Sequence, residues 1–316
     1  MAHFWHNLRN RFVKAYNFGY LPEQDGHKIF FQEIGNPKGE PVICFHGGPG
    51  SGASVSYAYS YNLKKYRVII FDQRGCGKSE YKEAFKNNTI QKTAEDANRL
   101  LDYLNIKTKV VVSGCSWGST CALFFSETYP ERVKRIIVNA IFLGRKKDAE
   151  YLTPIIPLFY PDMWDDLKQI AGKEHPDKYF GKLLFSNKYT DQQKAMKYYK
   201  SLESETSDGA LSYEFKDKEY TDKEIQKFRI FMHYQLNDFF MKENQILQNA
   251  KKIVDIPVEI YQDRWDPCCP MYQAYDLHKA LPKSKLHVIP AFGHVHEDMF
   301  WKMYQDNLND YREKGG

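Results

Sequence analysis

Short apolar runs and helical patterns take turns along most of this chain. Strand-like runs occupy residues 28–34, 41–45, 67–71, 109–112, 133–140, 256–261 and 286–289, and they are rich in β-branched and aromatic side chains. Helical spacing separates most of them. Residues 93–104 place Ala94, Ala97, Leu100, Leu101 and Leu104 on one side, and residues 271–281 read the same way. Strands alternating with helices predict a mostly parallel central sheet covered on both faces, an α/β fold whose ligands sit at the carboxyl ends of the strands. Near the start, Asp25-Gly26 is a tight-turn dipeptide, so residues 19–35 are expected to form a hairpin.

From about residue 141 to 250 the alternation stops. Pro154, Pro157 and Pro161, many aromatics and a long helical pattern over 221–248 replace it. This predicts a helical cap inserted after the sixth strand. The expected division is a core of residues 1–140 and 251–316 and a cap of residues 141–250.

Composition narrows the function classes. The chain has 316 residues, enough for a core domain with an insertion, and 45 basic against 40 acidic side chains give a net charge of +5. Lys and Arg are interleaved with Asp and Glu apart from short runs such as Arg145-Lys146-Lys147, which reads as solvated surface and argues against nucleic-acid binding. No apolar run approaches membrane length, and Met1-Ala2-His3-Phe4-Trp5-His6 lacks the basic-then-apolar order of a secretory leader. The six cysteines have no metal spacing and several lie in apolar runs, so they read as reduced thiols. The expectation is a soluble cytoplasmic protein with no membrane or nucleic-acid partner, no metal and no cofactor; the oligomeric state is not set by the sequence.

Three loops carry chemistry. After the run at 109–112 comes Gly114-Cys115-Ser116-Trp117-Gly118-Ser119, followed by the helical Thr120-Cys121-Ala122-Leu123-Phe124-Phe125. Strand, sharp turn and helix around G-x-S-x-G are the context of a nucleophile elbow, with Ser116 as nucleophile. After the run at 41–45 comes His46-Gly47-Gly48-Pro49-Gly50-Ser51-Gly52. Read as Gly48-x-Gly50-x-x-Ala53 with Asp72 beyond, it has the outline of a dinucleotide fingerprint, but Pro49 removes a donor and the sequence after it opens a helix poorly. An HGG-type loop supplies an oxyanion-hole amide, so the amides of Gly47 or Gly48, with that of Trp117, are the candidates. Asp72-Gln73-Arg74-Gly75-Cys76-Gly77-Lys78-Ser79 ends like a phosphate loop yet has Asp72 where the first glycine belongs. It reads as a structural turn in which Asp72 and Arg74 bind neighbouring loops.

A serine of this kind needs an acid and a base later in the chain. Asp263 and Asp266 follow the strand ending near Tyr261, and His294 follows Gly293 beyond the last strand; His287 and His296 are weaker bases by position. His46-Gly47-Gly48-Pro49-Gly50, the Asp72–Ser79 loop and Gly114–Ser119 together resemble the proline iminopeptidase family, serine exopeptidases of the α/β-hydrolase fold. The likeness runs from about Gly19 through the histidine loop and is weakest in the cap.

That resemblance implies Asp266 as the acid, because Arg264-Trp265-Asp266-Pro267-Cys268-Cys269-Pro270 is similar to the family's R-Y-D-x-x-C-P, and His294 as the base. It implies removal of an N-terminal residue, usually proline, from short peptides or amino-acid amides whose free amine is held by cap carboxylates. Glu203-Ser204-Glu205-Thr206 resembles W-E-G-E-T, making Glu203 and Glu205 substrate-binding candidates, and Glu297 is a further one. Phe231 stands in Arg229-Ile230-Phe231-Met232-His233-Tyr234 where the family carries a glutamate, and a desolvated ammonium with one carboxylate fewer costs several kcal/mol. Cys115 borders the serine, and from position alone is expected to confer sensitivity to thiol reagents. The same residues also serve an esterase or other small-molecule hydrolase with altered amine recognition, or a hydrolase-like binding protein without catalysis.

Overall fold

Side chains in the central strands divide cleanly between two hydrophobic layers, as the pleat requires. Ile43, Phe45, Ile69, Phe71, Val110, Val112, Ile136, Val138 and Ile260 join one cluster, while Val42, Cys44, Val68, Ile70, Val111, Ile137 and Tyr261 join the other. Both faces are therefore covered, which is why these strands read as unbroken apolar runs rather than as alternating ones. The computed structural model describes residues 13–208, 219–294 and 297–313.

The strands in chain order are β1 (Asn17–Tyr20), β2 (His27–Lys28), β3 (Phe30–Gly35), β4 (Glu40–Phe45), β5 (Tyr66–Phe71), β6 (Glu80–Tyr81), β7 (Val110–Cys115), β8 (Val133–Asn139), β9 (Val258–Trp265) and β10 (Lys285–Phe292). Eight form one sheet in the order β1-β3-β5-β4-β7-β8-β9-β10, and β2 pairs with β6 in a small ribbon. β3 runs antiparallel to both neighbours, and every pair from β5 to β10 is parallel. The expected early hairpin is present as the β1–β3 pair, with Asp25 and Gly26 both at positive φ (55° and 84°) in the intervening turn.

Helix Ile90–Tyr103 starts three residues before the sequence pattern suggests, because Thr89 caps it by accepting from the Lys92 amide. With helices Trp117–Thr128 and Met271–Ala280 it covers one face of the sheet, while the 3₁₀ turn Val55–Ser60 and helix Glu297–Glu313 cover the other. Asn307 of that last helix donates to the Ser60 carbonyl at 2.9 Å and accepts from Arg135 at 3.2 Å, fixing it to the sheet.

β8 is the sixth strand of the large sheet in chain order, and the described elements between it and β9 are helical. Several of them share a hydrophobic cluster of their own, built from Met163, Leu167, Phe180, Met196, Tyr198, Ile225 and Phe228 among others. The continuous helical pattern expected over 221–248 is broken. Helix Asp222–Gln235 ends, and Asp238, Phe239 and Phe240 all adopt positive φ (49°, 52° and 56°) before helix Gln245–Asn249 begins. The turn drives Phe239 into the main core, against Phe142 at 5.1 Å and Trp117 at 5.6 Å between ring centroids. Tertiary packing overrides helical propensity here.

The loop after β5 is the structural turn anticipated. Arg74, fully buried, makes a two-pronged contact with Asp96 (2.7 and 3.0 Å) and also reaches Asp25 and the Asn87 carbonyl. Asp72 accepts from the amides of Ala53 and Lys78 at 2.5 and 2.7 Å, tying this loop to the one after β4.

Glu127, buried near the end of helix Trp117–Thr128, is a cost to the fold. Neither of its oxygens meets a hydrogen-bond donor at full bonding distance, and burial raises its pKa from 4.5 to about 9, with Asn249 and Lys252 offsetting only part of that. A raised folded-state value means that its contribution to stability is complete below pH 4.5 and lost progressively as the pH climbs to about 9. Glu127→Gln is therefore expected to stabilise the protein at pH 8 by on the order of 2 kcal/mol and to have little effect at pH 4. Urea midpoints at the two pH values measure this, and a variant weaker than the parent at pH 8 would contradict it.

Candidate active site

Ser116 lies between β7 and helix Trp117–Thr128 with φ 56° and ψ −126°, a conformation that a side-chain-bearing residue rarely adopts. The neighbouring glycines explain how it is held. A Cβ on Gly114 would lie 2.0 Å from the Gly118 carbonyl oxygen, and one on Gly118 would lie 2.1 Å from that of Phe45. The turn closes only with hydrogens at both positions. The Ser116 amide donates to the Asn139 carbonyl at 3.0 Å, and its own carbonyl accepts from the Ser119 amide and hydroxyl.

Sheet order brings the glycine loop to this turn. The chain runs from β4 to β5 on one side and then to β7 on the other, so the loops after β4 and β7 meet at a topological switch point. Gly47 sits against the elbow, where a Cβ would be 3.2 Å from the Cys115 carbonyl oxygen and 3.4 Å from Ser116 Cβ. Its amide donates to the Tyr57 hydroxyl at 3.0 Å, so of the two oxyanion candidates Gly47 is already engaged. The amides of Gly48 and Trp117 have no protein acceptor among the described residues.

Gln73 joins the three loops. It accepts from Trp117 Nε1 at 3.0 Å, donates its side-chain amide to the His46 carbonyl at 2.8 Å, and offers its backbone amide to His46 Nε2 at 3.0 Å. That last contact makes Nε2 an acceptor and leaves the proton on Nδ1, which donates to the Gly47 carbonyl at 2.8 Å. Burial lowers the His46 pKa and keeps the ring neutral, so this histidine is a strut.

The acid and base candidates converge because β9 and β10 run side by side, with Phe292 opposite Trp265. Beyond them His294 Nδ1 lies 2.8 Å from Asp266 Oδ2. Gly293, at φ 123°, makes the bend that brings the ring back. Asp266 Oδ1 accepts from the amides of Cys268 and Cys269, each at 2.8 Å, and Gln262 Nε2 approaches Oδ2 at 3.3 Å. Burial alone would lower the pKa of His294, but the charge of Asp266, followed by Cys268, the Asp266 hydrogen bond and Asp263, carries it from 6.5 up to about 9. Asp263 is wholly buried within β9 and adds to that field, while the 2.8 Å contact with the imidazole is made by Asp266. His287 is taken up by Glu259 at 2.6 Å and by stacking on Tyr261. His296 lies outside the described residues.

Three residues of the site carried no clear sequence signal. Tyr57 occupies the Gly47 amide; Asn139 receives the Ser116 amide; Gln262 bridges the Ile141 amide and the Cys269 carbonyl, each at 2.8 Å. The expectation for Cys115 is corrected: it is buried, and burial pushes its thiol up to about 12 with Asp266 and Asp263 adding to the shift, so it is protonated and shielded from reagents.

Phe231 is half-buried against the helical cluster. His233 Nε2 contacts the Asn88 carbonyl at 3.0 Å, Tyr234 donates to the Asn88 side chain at 2.9 Å, and the Tyr234 ring meets Trp117 edge-on at 4.9 Å. The side chains of Glu203, Glu205 and Glu297 lie outside the described residues. A cavity of about 1490 Å³ opens between Gly144–Glu150 and the helices that carry Glu174, Lys182, Met232 and Phe239, and neither Ser116 nor His294 lines it. Asp266, Cys269 and His294 place ligand-type atoms within 4.8 Å of one another, the one such cluster among the described residues.

Comparison with known proteins agrees with this arrangement. Residues 40–296 match the family described as alpha/beta hydrolase fold. The chain is 38% identical to a protein named probable proline iminopeptidase from Leptolyngbya boryana, with 89% of each chain covered. It is 34% identical to the proline iminopeptidase of Arabidopsis thaliana (89% of this chain, 76% of the other) and 35% identical to that of Neisseria gonorrhoeae (89% and 91%). Among solved structures, VinJ superposes with a TM-score of 0.66 at 17% identity over 95% of this chain and 99% of that one, a likeness of fold. The relatives match along nearly the whole chain, and the fold is that of the matching family: this protein belongs to the proline iminopeptidase family of α/β-hydrolases.

Proposed function

We propose that the protein is a serine aminopeptidase that releases an N-terminal residue, with proline favoured, from short peptides or amino-acid amides. The observation that carries this reading is the buried Asp266–His294 pair at 2.8 Å in the same strand-end region as the strained Ser116 elbow. In this reading His294 takes the proton from Ser116 Oγ, which attacks the scissile carbonyl. The amides of Gly48 and Trp117 receive the developing oxyanion. His294 then protonates the leaving amine, and water enters as the second nucleophile to free the acid and restore the serine. Asp266 holds the imidazole with its Nδ1 proton facing the carboxylate.

Helices 141–250 form the cap of this reading, with Glu203, Glu205 and Glu297 as candidate ligands of the substrate amine and Phe231 as an apolar wall where relatives of this family carry an acid. Six cysteines, none of them bridged, accord with a reducing, cytoplasmic setting. No helix among the described residues is long and apolar enough to cross a membrane.

Two outcomes test the assignment. Proline p-nitroanilide is expected to be hydrolysed, N-acetyl-proline p-nitroanilide to be refused, and Ser116→Ala to lose about 10³-fold or more of kcat/KM. Turnover of a p-nitrophenyl acyl ester without turnover of the free-amine substrate would instead make it an esterase with the family's catalytic apparatus, the result that Phe231 favours. The base must be neutral to accept a proton, and Asp266 holds the imidazole pKa near 9, so kcat/KM is expected to rise with pH towards an inflection at about 9. Asp266→Asn removes the dominant raising influence, so its inflection should move towards or below 6.5 as its plateau falls by about 10⁴. An inflection shared by both proteins would reject Asp266 as the partner of His294.

A further inference from the structure

Apart from the field of Cys268 at His294, the chemistry above uses only the backbone amides of Cys268 and Cys269. Those two amides are the donors to Asp266 Oδ1, each at 2.8 Å, and the Cys269 carbonyl is clamped by Gln262 at 2.8 Å. The side chains are differently placed. Cys268 is half-buried, three residues on from the exposed Trp265, whereas Cys269 is buried. The two thiols share a hydrogen bond, and Cys269 Sγ lies within 4.8 Å of both an Asp266 oxygen and a His294 ring nitrogen. One thiol is thus reachable from solvent, the second stands directly behind it, and the peptide linking them holds the acid.

We propose that the vicinal Cys268–Cys269 pair is a capture site for trivalent, thiophilic compounds of the arsenite class, and that its occupation draws the two amides away from Asp266. With an organic arsenic(III) oxide the step is a condensation. Two As–S bonds form, the As–O double bond and both S–H bonds break, the two thiol protons leave with the oxygen as one water, and arsenic stays trivalent. No electrons are transferred and no oxidant is needed. That chemistry suits these thiols better than oxidation does. The hydrogen bond with Cys268, burial and the nearby Asp266 all hold Cys269 protonated, which slows attack on peroxides by a thiolate. Bridging one arsenic from two adjacent residues fixes both side chains towards a common atom. The strain of closing that ring falls on the peptide whose two amides hold Asp266.

The other cysteines do not compete. Cys44, Cys76, Cys115 and Cys121 are buried, and no two of them are adjacent in sequence. Because the second thiol binds intramolecularly, losing either partner is expected to weaken capture by about 10²-fold or more.

Intact-mass spectrometry of the full chain with phenylarsine oxide tests the capture, and amidase assays on the same samples test its consequence. The expected result is one phenylarsenic per chain on the parent. Turnover should fall by about 10²-fold as the support of Asp266 is lost. It should be restored by 2,3-dimercaptopropanol but not by 2-mercaptoethanol. Cys268→Ser and Cys269→Ser should each lose the stable adduct, and a misfolded variant would gain adducts instead by exposing the buried thiols. No adduct on the parent, or the same adduct on Cys268→Ser, would overturn the proposal. An adduct with full turnover would overturn the link to Asp266. The activity arm rests on the hydrolase reading, but the mass arm does not, so an inactive parent that still binds one arsenic would count against that reading alone.

Discussion

The site depends on how closely one backbone approaches another where β7 gives way to its helix. With 2.1 Å between a notional Gly118 Cβ and the Phe45 carbonyl oxygen, the helix start is pressed onto the end of β4 with no room for any side chain. This contact holds Ser116 at φ 56°. The Gln73 network then fixes what the backbone contact brings together. One side chain binds the His46 carbonyl and the Trp117 indole, so the HGG loop and the elbow share a single reference point. A neutral His46 is essential to that arrangement, because a doubly protonated ring could not accept the Gln73 amide.

The proposed acid and base are brought together by a different constraint, the parallel register of β9 and β10. Strands that end level with one another deliver Asp266 and Gly293-His294 to the same edge of the sheet. A carboxylate buried there would be costly if left to its own devices, and three donors from Gln262 and the Cys268–Cys269 peptide, besides the imidazole, compensate it. The same burial that makes these hydrogen bonds necessary makes the charge of Asp266 effective at His294. Gln262 also reaches the Ile141 amide just beyond β8, so the Asp266 loop is registered against the strand after which the helical segment begins.

What the sequence made legible follows from locality. Strand runs, the elbow, the HGG loop and the order of acid and histidine are each written in a few consecutive residues, and each is found where its pattern lies. Features that depend on distant partners were not legible. The break at Asp238–Phe240 is invisible to helical spacing because its cause is the pocket that Trp117 and Phe142 offer to Phe239. Tyr57 and Gln262 sit in runs that read as ordinary, and only the folded chain reveals what their polar atoms touch. Cys115 shows the opposite error. Its position beside Ser116 suggests exposure, yet it is the last residue of a strand buried throughout its length, and burial governs its chemistry.

Helix Asp222–Gln235 packs on both the main core and the helical cluster, and the spacing of its residues separates two tasks. Ile230 and Tyr234, four apart, face the main core, and Tyr234 braces Trp117 while holding Asn88. Phe228 and Met232 face the helical cluster of the cap, and Phe231 packs against that same cluster. A change of residue at 231 therefore alters the cap side of the wall without disturbing the turn-to-turn contact that steadies the residue after Ser116. Position 231 thus lies apart from the contacts that hold the elbow in shape.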